Sequence, residues 1–259
     1  VTLIDESPPP SPSGLPPAPR AAQPRLAPAR SPVLWGARLL LIIAGLAAWF
    51  ATQHLIGTRT YTGAIGDGLL DLLAPFHHYL ETHIAARNAL LISSSAVIDA
   101  LTLFLFGISI FGKTLRPFLG LLILFALRQI FQGLCVLPMP EGMIWPKEGP
   151  GFPSLFVTYG VSNDLFFSGH TAMAVYGAVE IVRAGSTRKI RTLLIPLATA
   201  IALFEIITVL ALRAHWTMDV YAGLISALLI ALLAKKIAPP IDRVLNKLTG
   251  RPNKLAPAN

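Results

Sequence analysis

Charge is scarce in this 259-residue chain: Asp, Glu, Lys and Arg make up 13% of it, while 54% is hydrophobic. Together with a mean hydropathy of +0.63, that scarcity excludes an ordinary soluble domain and puts the chain in a bilayer. Cysteine is nearly absent. The single residue, Cys135, excludes an intramolecular disulfide and any multi-cysteine metal site, and its apolar surroundings suit a small hydrophobe. Also missing are a glycine-rich phosphate loop, a nucleotide motif and any internal repeat, so no cofactor is expected. Carboxylates number 13 against 21 lysines and arginines, a formal charge of +8.

What is present begins with residues 1–32, which hold ten prolines, three arginines (Arg20, Arg25, Arg30) and few large apolar side chains. Such a segment buries too little surface to offset its chain entropy, and it is expected to be a disordered cytoplasmic tail. It has no short apolar run like that of a cleavable signal peptide. Apolar stretches of about 20 residues, the length a hydrocarbon core requires, follow at roughly 34–56, 89–112, 115–137, 166–184, 190–212 and 217–238. The expected fold is therefore all-α: a polytopic integral membrane protein with six transmembrane helices, its catalytic domain spanning 33–240. Residues 241–259 form a basic cytoplasmic tail.

Lysine and arginine orient these spans. With the N-terminus inside, the cytoplasmic set is Arg20, Arg25, Arg30, Arg38, Lys113, Arg116, Arg183, Arg188, Lys189, Arg191, Lys235, Lys236, Arg243, Lys247, Arg251 and Lys254, which is 16 of the 21. Both termini are expected in the cytoplasm. The positive charge is thus accounted for by topology and by anionic lipid, and nucleic acid is not an expected partner.

Two histidines then fall at the outer face, His170 in "DLFFSGHTAMAV" (164–175) and His215 in "HWTMDV" (215–220). Asp219 follows His215 by four residues, which puts both on one helix face. A carboxylate that holds one imidazole nitrogen leaves the other free to attack phosphorus, while a second histidine protonates the departing oxygen. No metal is required. A lone histidine here would read as an interfacial anchor, but a pair at one depth, one of them backed by Asp, points to phosphoryl transfer through a covalent intermediate.

The pieces "DLFFSGHT", "HWTMDV" and "RQIFQGLCVLPMP" (128–140) resemble the type 2 phosphatidic acid phosphatase superfamily of lipid phosphatases and phosphotransferases, most closely its sphingomyelin synthase branch. The resemblance covers about residues 34–238. It implies a six-helix bundle with His215 as nucleophile, His170 as acid and base, and Asp219 completing the triad. Two features depart from the phosphatases: Val209 stands where they carry an arginine, and "KTLRP" (113–117) imitates their first motif on the cytoplasmic side. Loss of phosphate-gripping cations favours a diester with one negative charge, such as phosphatidylcholine or phosphatidylethanolamine.

Other polar and aromatic residues are candidates for substrate binding. Arg128 and Glu205 lie at matched depths of roughly 12–14 Å, which suggests either an ion pair between them or a role for Arg128 on the donor phosphate. Asp99 lies deeper, below Ser93, Ser94 and Ser95. Ser168 and Gly169 flank His170. The outer loop 138–165 contributes Trp145, Phe152, Phe156 and Tyr159, near Trp216, as an interfacial aromatic belt or a cage for a quaternary ammonium group. Glu141 and Asp164 flank that loop and are candidates to orient His170. His77, His78 and His83 lie instead among apolar residues spaced for an interfacial helix, so no metal site is expected.

The function expected from the residues and the resemblance is that of a sphingomyelin synthase: transfer of phosphocholine or phosphoethanolamine from a glycerophospholipid to a lipid alcohol through a phosphohistidine, with ceramide the foremost acceptor and diacylglycerol the other one named. The alternatives are a lipid phosphatase or phospholipase C-type hydrolase, with water as acceptor, and a catalytically silent membrane subunit or transporter. The expected setting is a bacterial inner membrane or a eukaryotic Golgi or plasma membrane, with the site on the periplasmic, lumenal or exterior face. An oligomer is compatible with all of this.

Overall fold

The structure is a computed structural model that describes residues 65–146, 151, 154–157, 159 and 165–248, together with 43, 47 and 51. The expected tail 1–32, almost all of the expected span 34–56, Lys147, Phe152, Asp164 and residues 249–259 lie outside the described residues.

Among the described residues the chain is all-helical, with seven helices: α1 (Gly68–Leu72), α2 (Ala74–Thr82), α3 (Ile84–Phe111), α4 (Arg116–Leu134), α5 (Gly169–Ala184), α6 (Arg188–Ala211) and α7 (Thr217–Leu248). The interfacial segment expected near 65–84 forms the two short helices α1 and α2. They bury Leu70, His77 and Leu80 and leave Leu69, Leu72 and Phe76 exposed.

Four helices, α3, α4, α6 and α7, are long and apolar enough to cross a membrane, so the chain is an integral membrane protein. Of the six spans expected, these four are found among the described residues; the first lies almost wholly outside them, and α5 falls short of the length. At 16 residues it measures about 24 Å, short of a hydrocarbon core of about 30 Å, and it carries Glu180 and Arg183. Every residue from Thr171 to Ala178 is buried. α5 is therefore the bundle's centre and packs against α3, α4, α6 and α7. In contrast, α7 runs past the expected end near 238 and continues through Pro239 and Pro240 to Leu248.

Burial of apolar side chains does not by itself drive helices together in lipid, because acyl chains are equally apolar. Close packing and polar contacts do so instead. Ala172, Ala174 and Ala178 of α5 and Ala227 and Ala231 of α7 supply small buried surfaces. At the end away from the histidines, fully buried Glu180 takes Arg116 Nη2 at 2.6 Å and Arg183 Nη1 at 2.8 Å. Arg116 of "KTLRP" thus ties α4 to α5. Asp242 accepts the Thr114 hydroxyl at 2.5 Å and the Leu115 N–H at 2.9 Å, joining α7 to the start of α4.

Candidate active site

His215 stands in the turn between α6 and α7. Helix α6 stops at Ala211, Arg213 adopts a left-handed φ of 51°, and Ala214 N–H returns to the Val209 carbonyl at 2.9 Å. That closure aims the next residues into α7. Asp219 sits in the first turn of α7, fully buried, and its Oδ2 accepts the Trp216 N–H at 3.0 Å. The same oxygen lies 3.7 Å from His215 Nδ1. This separation is wider than a hydrogen bond, as catalytic contacts often are before substrate tightens them. His215 Nδ1 and Asp219 Oδ1 have no hydrogen-bond partner among the described residues.

His170 occupies the first turn of α5. Ser168 caps that helix through its Oγ, which accepts the Thr171 N–H at 3.3 Å, a placement that stabilises a helix start by about 1 kcal/mol. The Nε2 of His170 is shielded and has no hydrogen-bond partner among the described residues. Trp145 meets the His170 ring edge-on, at 5.4 Å between centroids, and stacks on Tyr159 at 4.7 Å.

The two histidine segments are joined directly. Ser168 N–H donates to the Asp219 carbonyl at 3.0 Å. One turn beyond Asp219, a side chain at Gly223 would put its Cβ 2.6 Å from the Ser168 carbonyl oxygen. Only glycine lets α7 approach the start of α5 this closely.

His170 and His215 line one cavity of about 90 Å³ with Arg128, Trp145, Gly169, Ile98, Phe125, Phe156 and Val157. Of the residues expected at the site, Arg128, Trp145 and Gly169 are therefore brought together with both histidines. Ser168 acts from behind as the cap. Glu141 is exposed and outside the cavity wall, and its backbone carbonyl accepts Arg213 Nη1 at 2.9 Å. Trp216 spends its indole N–H on the Pro138 carbonyl at 2.8 Å, which pins the outer loop instead of lining the cavity.

The expected pairing of Arg128 with Glu205 is corrected. Glu205 Oε2 accepts the Ser94 hydroxyl at 2.6 Å, while Arg128 Nε donates to the Phe167 carbonyl at 3.1 Å and its guanidinium lies against Gly169. Equal depth on two helices does not bring side chains together unless both face the same way.

Three further anchors have partners that the sequence did not indicate, and one of them, Asp67, was not among the expected residues. Asp99 accepts the N–H groups of Leu155 and Phe156 at 2.9 and 3.0 Å, drawing the outer loop down beside Ile98 to form part of the cavity wall. Tyr159 bonds Ser95 Oγ at 2.5 Å; burial raises its hydroxyl pKa above the ordinary value. Asp67 accepts the Thr217 N–H at 2.7 Å and the Thr217 hydroxyl at 2.5 Å while capping α1. Burial opposes its ionisation, but the bonds from Thr217, Leu70 and Leu69 outweigh this and hold its carboxyl below the ordinary 3.8. Of the first-loop histidines, His77 is buried with Nδ1 2.8 Å from the Ala211 carbonyl oxygen, His78 lies beside Glu81, and His83 stacks on Tyr79.

A family model described as AtPDCT1/2, of phosphatidylcholine:diacylglycerol cholinephosphotransferases, matches residues 68–236, from the start of α1 to near the end of α7. This corrects the resemblance to the sphingomyelin synthase branch and to the phosphatidic acid phosphatases, whose short histidine motifs the chain shares without matching their families. The expected ceramide-directed sphingolipid chemistry loses its support with that correction. No curated protein and no solved structure matches the chain.

Proposed function

We propose, because the chain belongs to the AtPDCT1/2 family of membrane phospholipid headgroup transferases, that it moves phosphocholine from phosphatidylcholine to diacylglycerol. The observation that carries this reading is the pair of histidines on one cavity, with Asp219 behind His215. In the proposed first displacement His215 Nε2 attacks the donor phosphorus, and His170 protonates the departing diacylglycerol oxygen. Asp219 offsets the charge that His215 gains. In the second, an acceptor diacylglycerol gives its hydroxyl proton to His170 as its oxygen attacks the phosphohistidine, which regenerates phosphatidylcholine and both histidines.

Arg128, already directed at this wall by Phe167, is the cation offered to the single negative charge of the donor phosphate. Trp145 stacks on Tyr159 and packs edge-to-face with His170, while Trp216 lies outside the cavity wall. Phe125 and Phe156 both line the cavity and are 38% and 42% exposed on the outside of the bundle. Apolar, partly exposed side chains on this wall suit acyl chains that stay in lipid while the glycerol end reacts. The excess of Lys and Arg at the opposite end supports an outward-facing site.

The test incubates purified protein with headgroup-labelled phosphatidylcholine and a diacylglycerol whose acyl chains differ from the donor's. Labelled phosphatidylcholine carrying the acceptor's chains is expected. Release of free phosphocholine with no such lipid would assign the protein as a hydrolase instead.

A further inference from the structure

At the opposite end of the bundle from the histidines lies a second hollow, about 470 Å³, lined by Lys113, Thr114, Arg116, Lys235, Pro239, Asp242 and Arg243. The 23 positions from Asp219 to Asp242 along α7 separate it from His215 by about 35 Å. It is a different site, on the far interface.

Its walls are built by two helices and a turn. Lys235, Pro239, Asp242 and Arg243 recur at helical spacing on one face of α7, and Lys113 and Thr114 come from the turn before α4. Of the two carboxylates nearby, Asp242 accepts Thr114 and Leu115, and Glu180 is taken by Arg116 and Arg183. No ion pair within the described residues engages Lys113, Lys235 or Arg243. Lys113, Lys235 and Arg243 thus gather on one open hollow beside Arg116, whose charge Glu180 meets, and Asp242, whose oxygens are already engaged. Like charges gathered in this way repel unless an anion enters.

A bias of lysine and arginine toward one membrane face explains why cations are at this end. It does not explain why Lys235 and Arg243 line one hollow with Lys113 while the neighbouring Lys236 does not. The level supplies the ligand, since phosphate groups of lipid headgroups occupy the zone just beyond the hydrocarbon, and basic hollows between transmembrane helices there suit anionic headgroups.

We propose that this hollow binds the phosphate of an anionic phospholipid. The site is independent of the transfer chemistry, and its occupant differs from the zwitterionic donor proposed for the histidine cavity.

The test is native mass spectrometry of the full chain in neutral detergent, titrated with phosphatidylglycerol, phosphatidylcholine or inorganic phosphate. Phosphatidylglycerol is expected to be retained in preference to phosphatidylcholine. Lys235→Gln and Arg243→Gln should each weaken retention about fivefold, on the order expected for one interfacial charge. Lys236→Gln, which removes the same charge one residue away, should leave it unchanged. Both lining side chains are exposed, so an unchanged melting temperature serves as the folding control. Equal losses for Lys235→Gln and Lys236→Gln would overturn the site in favour of diffuse surface attraction. Full displacement by equimolar inorganic phosphate would overturn the lipid as ligand.

Discussion

The backbone N–H of Ser168 and the carbonyl of Asp219 meet at 3.0 Å, so the residue before the histidine-bearing turn of α5 is bonded to the carboxylate residue behind His215. Spacing between the two histidines is therefore set by main chain, and Gly223 makes the approach feasible. Gly223→Ala is expected to lower both melting temperature and transfer rate, with a stability loss of about 1–3 kcal/mol from overpacking. In an unobstructed helix the same change would stabilise by up to about 1 kcal/mol, so a rise in melting temperature would sink the close-approach account.

Asp219→Asn is expected to preserve the bundle, because an amide oxygen still accepts the Trp216 N–H. It should nonetheless slow transfer by roughly 10³- to 10⁴-fold, by analogy with an orienting aspartate elsewhere. Trapping with phosphate-labelled donor under alkaline conditions checks the division of labour. Label is expected on His215 and lost in His215→Ala; label on His170 would exchange the two roles.

Asp67 and Thr217 are 150 positions apart and connect α1 to the start of α7. Since the Asp67 pKa is depressed in the fold, its contribution is fully present above the ordinary carboxylate value of 3.8 and is lost as pH falls through the lower, folded value. Asp67→Ala should thus reduce melting temperature at neutral pH, with a loss of about 1–2 kcal/mol. The difference from the parent protein should hold constant down to about pH 4 and shrink only below it. A difference that grew on acidification would contradict the assigned sign.

Asp99 accepts two loop N–H groups, from Leu155 and Phe156. Asp99→Leu should release residues 154–157, expose the segment to added protease and abolish transfer. Asp99→Asn, which keeps one acceptor oxygen, should retain part of the activity. Equal activity in the two variants would mean that the loop is held by something else.

Orientation is tested by single cysteines at Glu141 and Ser186 in a Cys135→Ala background. An impermeant thiol reagent is expected to label the first from outside and the second only after permeabilisation. The reverse pattern would turn the histidine cavity toward the cytoplasm.

Composition and periodicity were enough to read a helical membrane chain, because a bilayer demands long apolar runs and internally bonded backbone. The spacing of four between His215 and Asp219 suggested a shared helix face, but His215 lies in the turn before α7, and it is the bend after Arg213 that leaves the two side chains 3.7 Å apart. The prominence of "SGHT" was legible too, though a short motif shared between families led to the wrong family, and only the match across 68–236 corrected it.

The sequence determined how far along each helix a residue lies, because the rise per residue is fixed. It did not determine which way that residue faces once helices rotate to pack their small side chains together. Of the two readings offered for Arg128, the ion pair with Glu205 is not formed: Glu205 meets Ser94, and Arg128 meets the Phe167 carbonyl. Tertiary structure decided the rest: Ser94 on Glu205, Asp99 under a loop more than fifty residues later, Asp67 on Thr217, and α5 as the buried centre of the bundle. Each of these contacts joins segments far apart in the chain, and only packing fixes the rotations that let them meet.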